Sequence, residues 1–485
     1  MLEQQVRSIQ ESHVAPQPTG ENRVVDADEI FFSTTDSKGN IGKANSVFVD
    51  ISRYSWDDLV GAPHNIVRHP MMPGAAFLAM WTTIQAGDPF CAYVHNLAGD
   101  GATYTVLATI VSQADGYLSV RVAPQVPEML QAAEAVYQAA RDAEWVAGEQ
   151  GCGAPERARR GLDAVQSALE QAGYPDYPTF MRKALVQEVA ARRQRHRASR
   201  GMIDGSSLGQ LADQVSNVRT VVERWLETFG GLSDLSVKAC RTARTLGQAM
   251  TESQRTSDAI TDSHHAAEAA LRPLVTVLTL WSRMDAEIAP LVDGVVADLD
   301  ALAASADLTS FRLAVAYIQV ESTRSFVAEL WAEVDGWERA LPAIDDLSRA
   351  VEEAMSQANH HLEQVRTLAE QAASRTEELA GLMSMPTALL SSWQQMASQR
   401  ELSSGVADIV PRVEEQIGAS QAMAAELTDV VAGLRRPTMA GWTSRSSPRS
   451  AAWPVRLQRA DFVGGAGLLG NCSVERGSSL KKGPT

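Results

Sequence analysis

Cysteine is rare in this chain, and long apolar runs are missing. The 485 residues include only four cysteines, without a CxxC pair: Cys91, Cys152, Cys240 and Cys472. A disulfide framework or a structural zinc site needs more closely spaced cysteines, so neither is predicted. The longest apolar run of the helical part, residues 271–281, contains Arg272 and is too short to cross a bilayer about 30 Å thick. Because no secretory signal is found either, we expect a cytoplasmic protein without a membrane span.

Aromatic residues and positive charges are also in short supply. Aromatics make up 6% of the chain, and Ala, Glu, Gln, Arg and Leu dominate after about residue 125, which is typical of long helices. The 43 Lys and Arg residues are outnumbered by 59 Asp and Glu residues, which gives a net charge of -16. Acidic chains repel phosphate backbones, so no nucleic-acid partner is predicted.

The N-terminal quarter has the texture of a small mixed domain. Residues 1–24 are polar and rich in proline, which predicts a flexible segment. Residues 25–124 contain short β-rich runs separated by the turn signals DSKGN, GDG and DG. This pattern predicts an α+β domain.

The rest of the chain is predicted to be helical up to a basic tail. Residues 125–205 read as short linker helices, with the basic run 192–200 as a solvated helix end. Residues 206–434 are predicted to form a coiled-coil or helical-bundle region, since apolar side chains recur at heptad spacing, among them Leu211, Val215 and Val222. Such a seam predicts a homodimer through the helices. Residues 435–485 lack any period and are rich in Ser, Gly, Pro and Arg, which predicts a disordered basic tail.

Candidate chemistry is concentrated in the run GAPHNIVRHPMMPGAAFLAMW at residues 61–81. Its two histidines are five residues apart and the run has no Cys or Glu, so no metal site is predicted. Arg68 and His69 offer hydrogen-bond donors, and Trp81 offers apolar surface, which is a combination suited to a flat cofactor. On residue types alone, an ordinary core with satisfied His and Arg side chains explains the run as well.

The stretch from FFSTTDSKGNIGKANSVFVD through PHNIVRHPMMPGAAFLAMW to DGYLSVRVAP resembles the PAS domain of bacterial aerotaxis receptors. The most specific element is PHNIVRHP with MP two residues later, and the resemblance covers residues 25–124. It implies a five-stranded antiparallel sheet with flanking helices that holds FAD non-covalently and reports its redox state. The residues it places in or beside the flavin cavity are Asn45, Arg68, His69, Trp81 and Asn96, with Phe90 where the family has tryptophan.

Two positions depart from the family pattern. Met71 replaces an acidic residue that follows RHP, so the carboxylate that balances Arg68 is missing from the loop. His95, Asn96 and Leu97 stand where the family has Lys-Asn-Arg. These changes leave the affinity for FAD open.

No output signature follows the sensor-like domain. The tip sequence of methyl-accepting signalling hairpins is absent, as are kinase motifs and any catalytic constellation. We therefore predict a non-enzymatic signal-transduction protein that senses redox state or oxygen through bound FAD and relays the signal through coiled-coil helices to a protein partner. The alternative is a non-enzymatic scaffold whose PAS domain binds no flavin and serves for dimerisation.

Overall fold

The computed structural model describes residues 16–195, 207–261, 272–332, 337–399 and 410–440. These residues fall into two compact units. The first contains the chain up to Val222 together with Ala314–Ala354, and the second contains Glu223–Leu313 and the described residues from Met355 onward. The segments 1–15 and 441–485, which hold most of the predicted flexible lead and basic tail, lie outside the described residues.

The first unit is built on a five-stranded antiparallel sheet in the order β2-β1-β5-β4-β3, which confirms the predicted fold class. Its strands are β1 (Ile30–Asp36), β2 (Ile41–Ala44), β3 (Phe90–Leu97), β4 (Thr103–Gln113) and β5 (Gly116–Val122). The DG turn between β4 and β5 requires glycine, because a Cβ on Gly116 would lie 1.8 Å from the backbone oxygen of Thr35. All three turns predicted from sequence lie between consecutive strands of this sheet.

Short helices cover one face of the sheet. They are α1 (Ser46–Ser52), α2 (Trp56–Leu59), a 3-10 turn (His64–Val67) and α3 (Gly74–Gln85). Helix α2 begins with a capping box in which Ser55 and Asp58 exchange side-chain-to-backbone hydrogen bonds. Ahead of the sheet, the described part of the lead segment pairs with the chain near β4, since Arg23 N donates to Thr103 O at 2.7 Å. The domain therefore starts before residue 25.

Three helices follow the sheet: α4 (Pro127–Glu149), α5 (Ala154–Gln171) and α6 (Tyr177–Arg195). Helix α6 is tied to the sheet by Glu188, whose carboxylate accepts from Tyr93 Oη on β3 at 2.8 Å, Gln125 N at 2.5 Å and Val126 N at 3.1 Å. Burial raises the pKa of Glu188, and these hydrogen bonds oppose the rise. A buried carboxylate is tolerated here because its oxygens are satisfied.

One arginine of the basic run after Val189 is buried, whereas the helix end at Arg195 is exposed. Arg192 is 1% exposed and donates to the backbone oxygen of Ala27, so it anchors α6 to the chain before β1. The predicted solvated end is wrong for this residue because tertiary packing overrides the local charge pattern. Residues 196–200 of the run lie outside the described residues.

The remaining described helices are α7 (Ser207–Thr261), α8 (Arg272–Ala332), α9 (Trp337–Leu382), α10 (Ser384–Ser398) and α11 (Val410–Ala440). Helix α8 runs without a break over its 61 residues. Helix α11 continues to Ala440, so the helical region extends past the predicted boundary at 434. The predicted seam residues Leu211, Val215 and Val222 are buried within the single chain.

We expect Glu188→Ala to destabilise the first unit by about 3 kcal/mol, because it leaves one tyrosine hydroxyl and two backbone N–H groups buried without an acceptor. Urea denaturation followed by near-ultraviolet circular dichroism of the buried tyrosines measures the change. Glu149→Ala, at the exposed end of α4, is the matched control and should stay within about 0.5 kcal/mol of wild type. Equal midpoints for the two variants would show that Glu188 does not hold α6 on the sheet.

Candidate functional site

A cavity of about 530 Å³, called the main cavity here, lies between the inner face of the sheet and helix α3. This volume is typical of small-molecule sites, which span roughly 300–1,000 Å³. Alternate residues of strands β3, β4 and β5 reach it, so Tyr117, Ser119 and Arg121 of β5 line the cavity while Leu118 and Val120 lie buried on the other face. Trp81 of α3 and Tyr117 meet edge to face at 5.5 Å and form one wall.

The main cavity is positively charged in an acidic chain. Twenty described residues line it; Lys38, Arg68 and Arg121 are among them, and none is aspartate or glutamate. Two buried polar atoms of lining residues have no hydrogen-bond partner, Asn96 Nδ2 and Ser119 Oγ, and their residues are only 3% and 5% exposed. Unsatisfied buried donors are costly in a folded protein, so this lining is suited to a polar or anionic ligand.

Arg121 and His64 form a buried pair at the edge of the main cavity. Arg121 Nη2 donates to His64 Nε2 at 2.5 Å, and Arg121 Nη1 donates to Ser33 Oγ at 3.1 Å. Burial, and then the neighbouring Arg121 charge, hold the pKa of His64 well below its ordinary value, so the imidazole is neutral. Burial also lowers the pKa of Arg121 to about 10, which still leaves a full positive charge at neutral pH.

The structure brings three of the six predicted site residues to the main cavity: Arg68, Trp81 and Asn96. Arg68 is held by a hydrogen bond from Nη2 to Met72 O at 3.0 Å, and its guanidinium lies 4.1 Å from the centre of the Phe77 ring. An isolated backbone bridge joins Arg68 to Asn96, which fixes the loop against β3.

The other three predicted residues are not among those that line the main cavity. Asn45 precedes α1, where its amide accepts from Phe32 N and donates to Glu329 Oε2 of helix α8 at 3.2 Å. His69 bonds to Met71 N and to Thr103 Oγ1 at 3.2 Å. Phe90 stacks on Tyr177 of α6, with ring centres 6.2 Å apart.

The carboxylate that Met71 removes from the loop has a substitute on helix α4. Met71 is 48% exposed, whereas the Glu144 carboxylate accepts from Gly74 N at 2.9 Å and Ala75 N at 2.7 Å at the start of α3. Burial lowers the pKa of Arg68, and attraction to Glu144 opposes this change. Glu144 is therefore a carboxylate that acts on the Arg68 charge from outside the loop.

His64, Ser119 and Arg121 are cavity residues that the sequence reasoning missed. The period-two alternation of YLSVRV could have found Ser119 and Arg121, because it places them on the same face as Tyr117. His64 gave no such signal, since it stands in a loop and its partner is 57 residues away.

The described residues show neither a metal cluster nor a membrane segment. They contain no group of three or more His, Cys, Asp or Glu side chains arranged to hold a metal ion. None of the described helices combines the length and apolar character that crossing a bilayer requires.

Comparison with known proteins identifies the class of the sheet-containing domain. It is an N-terminal PAS domain, and no protein-family model matches the chain. Over 129 residues, the chain is 39% identical to the aerotaxis receptor of Escherichia coli (strain K12). This match covers 26% of this chain and 25% of the receptor. The chain thus spans about a quarter of that relative. A solved fungal LOV-domain photoreceptor aligns with 25% of this chain and 86% of its own, at 18% identity and a TM-score of 0.17.

We expect the pH dependence of stability to report the neutral state of His64. The folded state keeps a lowered His64 pKa, so below about pH 6.5 the unfolded chain binds a proton that the folded chain does not. Stability should therefore fall as the pH drops, with a slope from this residue that approaches ~1.4 kcal/mol per pH unit.

His64→Gln should reduce the loss of stability between pH 7 and pH 5, as measured by urea denaturation at each pH. His360→Gln, at an exposed position on a helix of the second unit, is a control for the replacement of a histidine. Identical pH slopes for wild type and His64→Gln would contradict the assignment.

Proposed function

We propose that this chain is a non-enzymatic sensor whose PAS domain binds FAD and relays the redox state of the flavin through its helices to a protein partner. The observation that carries the proposal is the main cavity, which has three cationic side chains, no carboxylate and the two unsatisfied donors of Asn96 and Ser119. A bound flavin supplies a flat ring with acceptor atoms on one edge and negative phosphates on its chain. The similarity to an aerotaxis receptor supports the same ligand.

In this proposal the predicted site residues fall into two groups. Arg68, Trp81 and Asn96 contact the flavin directly, together with Ser119 and Arg121. Asn45, His69 and Phe90 hold the helix, loop and strand around the cavity. Asn96 Nδ2 and Ser119 Oγ supply hydrogen bonds that the protein itself leaves unmade, so ligand binding satisfies them at little cost to the apo fold.

The relay begins on the outer face of the same sheet. Glu329 of α8 accepts from Ser46 N at 2.8 Å and from Asn45 Nδ2, and so takes the place of a cap at the start of α1. Next to Ser33, which hydrogen-bonds Arg121, Phe32 packs edge to face on Phe326 of α8 at 5.0 Å. A change in hydrogen bonding at Arg121 can therefore reach helix α8 through two adjacent residues, Ser33 and Phe32.

A second contact supports the relay from helix α9. Lys43 of β2 pairs with Asp346 at 2.5 Å and also donates to Pro342 O at 3.1 Å. Gln113 at the end of β4 donates to Asp346 O at 3.0 Å. Both ends of the sheet thus hold the segment Ala314–Ala354, from which α8 and α9 extend into the second unit.

The proposal includes a homodimer that forms through the helices. The heptad residues Leu211, Val215 and Val222 are buried by the chain itself, so the proposed dimer uses other helical surface.

Absorption spectroscopy of the purified protein, with FAD added and then reduced, tests the proposal. We expect Asn96→Leu to weaken FAD binding by about tenfold, the loss of ~1.4 kcal/mol, because the amide donor is gone. The stability of the apo protein should not fall, since the variant also removes an unsatisfied buried group.

Tyr104→Phe is the matched control for this variant. Its hydroxyl is also buried without a partner, but it does not line the main cavity, so FAD affinity should not change. A wild-type protein that takes up no FAD would overturn the proposal and favour the ligand-free scaffold.

Glu329→Ala tests the relay. Reduction of the bound flavin should change hydrogen exchange in residues 314–332 of the wild type, and we expect the variant to lose this change while it keeps FAD. Glu287→Ala, at an exposed position of the same helix, should behave as wild type. A redox-dependent change that persists in Glu329→Ala would contradict this path.

A further inference from the structure

A second, smaller cavity adjoins the main one on the side of helices α4 and α5. This side cavity has a volume of about 260 Å³ and shares Arg68, Phe77 and Trp81 with the main cavity. Its remaining wall includes Arg141 and Trp145. The two cavities therefore lie side by side, with these three side chains forming part of the wall of each.

The side cavity has an excess of positive charge. Arg68, Arg141 and Arg157 line it against one acid, Glu144. The Glu144 oxygens are occupied by the N–H groups of Gly74 and Ala75 at the start of α3. Both oxygens of that carboxylate therefore already accept a backbone hydrogen bond.

The two arginines from the helices keep their charges free for a ligand. Arg141 donates to neutral acceptors, the backbone oxygen of Met71 and the side-chain oxygen of Gln138. Arg157 lines the side cavity from the first turn of α5 and forms no ion pair with a described residue. Guanidinium groups recognise phosphate oxygens through paired hydrogen bonds.

Trp145 adds a flat surface at the same place. It is 68% exposed, which is unusual for a tryptophan, and it follows Arg141 by one helical turn. An exposed indole beside guanidinium groups is the combination that binds a nucleotide, with stacking on the base and charge on the phosphates.

We propose that the side cavity binds the diphosphate and adenosine part of a dinucleotide, with Arg141 and Arg157 on the phosphates and Trp145 against the adenine. The proposal rests on flavin binding in the main cavity and deepens it. Helices α4 and α5, which lie outside the sheet, then determine that the chain takes FAD rather than a flavin mononucleotide. The same contacts make the position of these helices depend on the ligand.

Titrations of the full chain with FAD and with flavin mononucleotide test this assignment. Wild type should bind FAD at least about tenfold more tightly, since one stacked base contributes roughly 1–3 kcal/mol. Arg157→Gln and Trp145→Ala should each lower FAD affinity towards that of the mononucleotide and leave mononucleotide affinity unchanged. Arg159→Gln is the control, because Arg159 is exposed on the same helix and pairs with Glu156.

Equal affinities of wild type for the two flavins would contradict the proposed role of the side cavity, while the proposal of flavin binding in the main cavity would stand. Variants that weaken both flavins alike, or neither, would overturn it too. If wild type binds no flavin, the proposed function fails. Binding of ADP to the apo protein then tests the side cavity separately. Saturation-transfer signals from ADP that disappear in Arg157→Gln and Trp145→Ala support the site, and their absence in wild type overturns it.

Discussion

The two-residue alternation of the sheet is the constraint on which the first unit depends. Strands β3, β4 and β5 each present one set of side chains to the main cavity and the other set away from it. In β1, Ser33 reaches the buried Arg121 while its neighbour Phe32 packs on Phe326. A shift of one residue in register would exchange the two sets and destroy both surfaces at once. The cavity and the helix contacts therefore cannot vary independently.

Much of this sheet could be predicted from sequence, and the failures have physical causes. The strand YLSVRV alternates clearly and is bounded by a DG turn, so local pattern located it. Strand β2, IGKA, carries a glycine and no clear alternation, and only the family resemblance implied a fifth strand. Arg192 is basic and near a predicted helix end, yet it is buried, because its partner Ala27 is 165 residues away. Contacts of that separation leave no trace in local pattern.

Charge explains how a departure from the family pattern is accommodated. The main cavity is cationic although the chain as a whole carries -16, so its positive charges are concentrated by the fold and not by composition. With Met71 in the loop, the carboxylate near Arg68 comes from Glu144, and the N-terminal N–H groups of α3 hold it. The compensation moves an acidic group from a loop of the PAS domain to a helix that follows it. Helix α4 thereby becomes part of the electrostatic surroundings of the site.

This placement bears on which helix can report events in the main cavity. Helix α4 follows the sheet directly, and its Glu144 acts on the charge of Arg68. The outer face, however, contacts α8 through Glu329 and Phe326, and those contacts lie beside residues that reach Arg121. In the proposed function, helix α4 therefore responds through Arg68, and α8 responds through Ser33 and Phe32. Binding of a ligand near Arg68 and a change in hydrogen bonding at Arg121 then act on different helices.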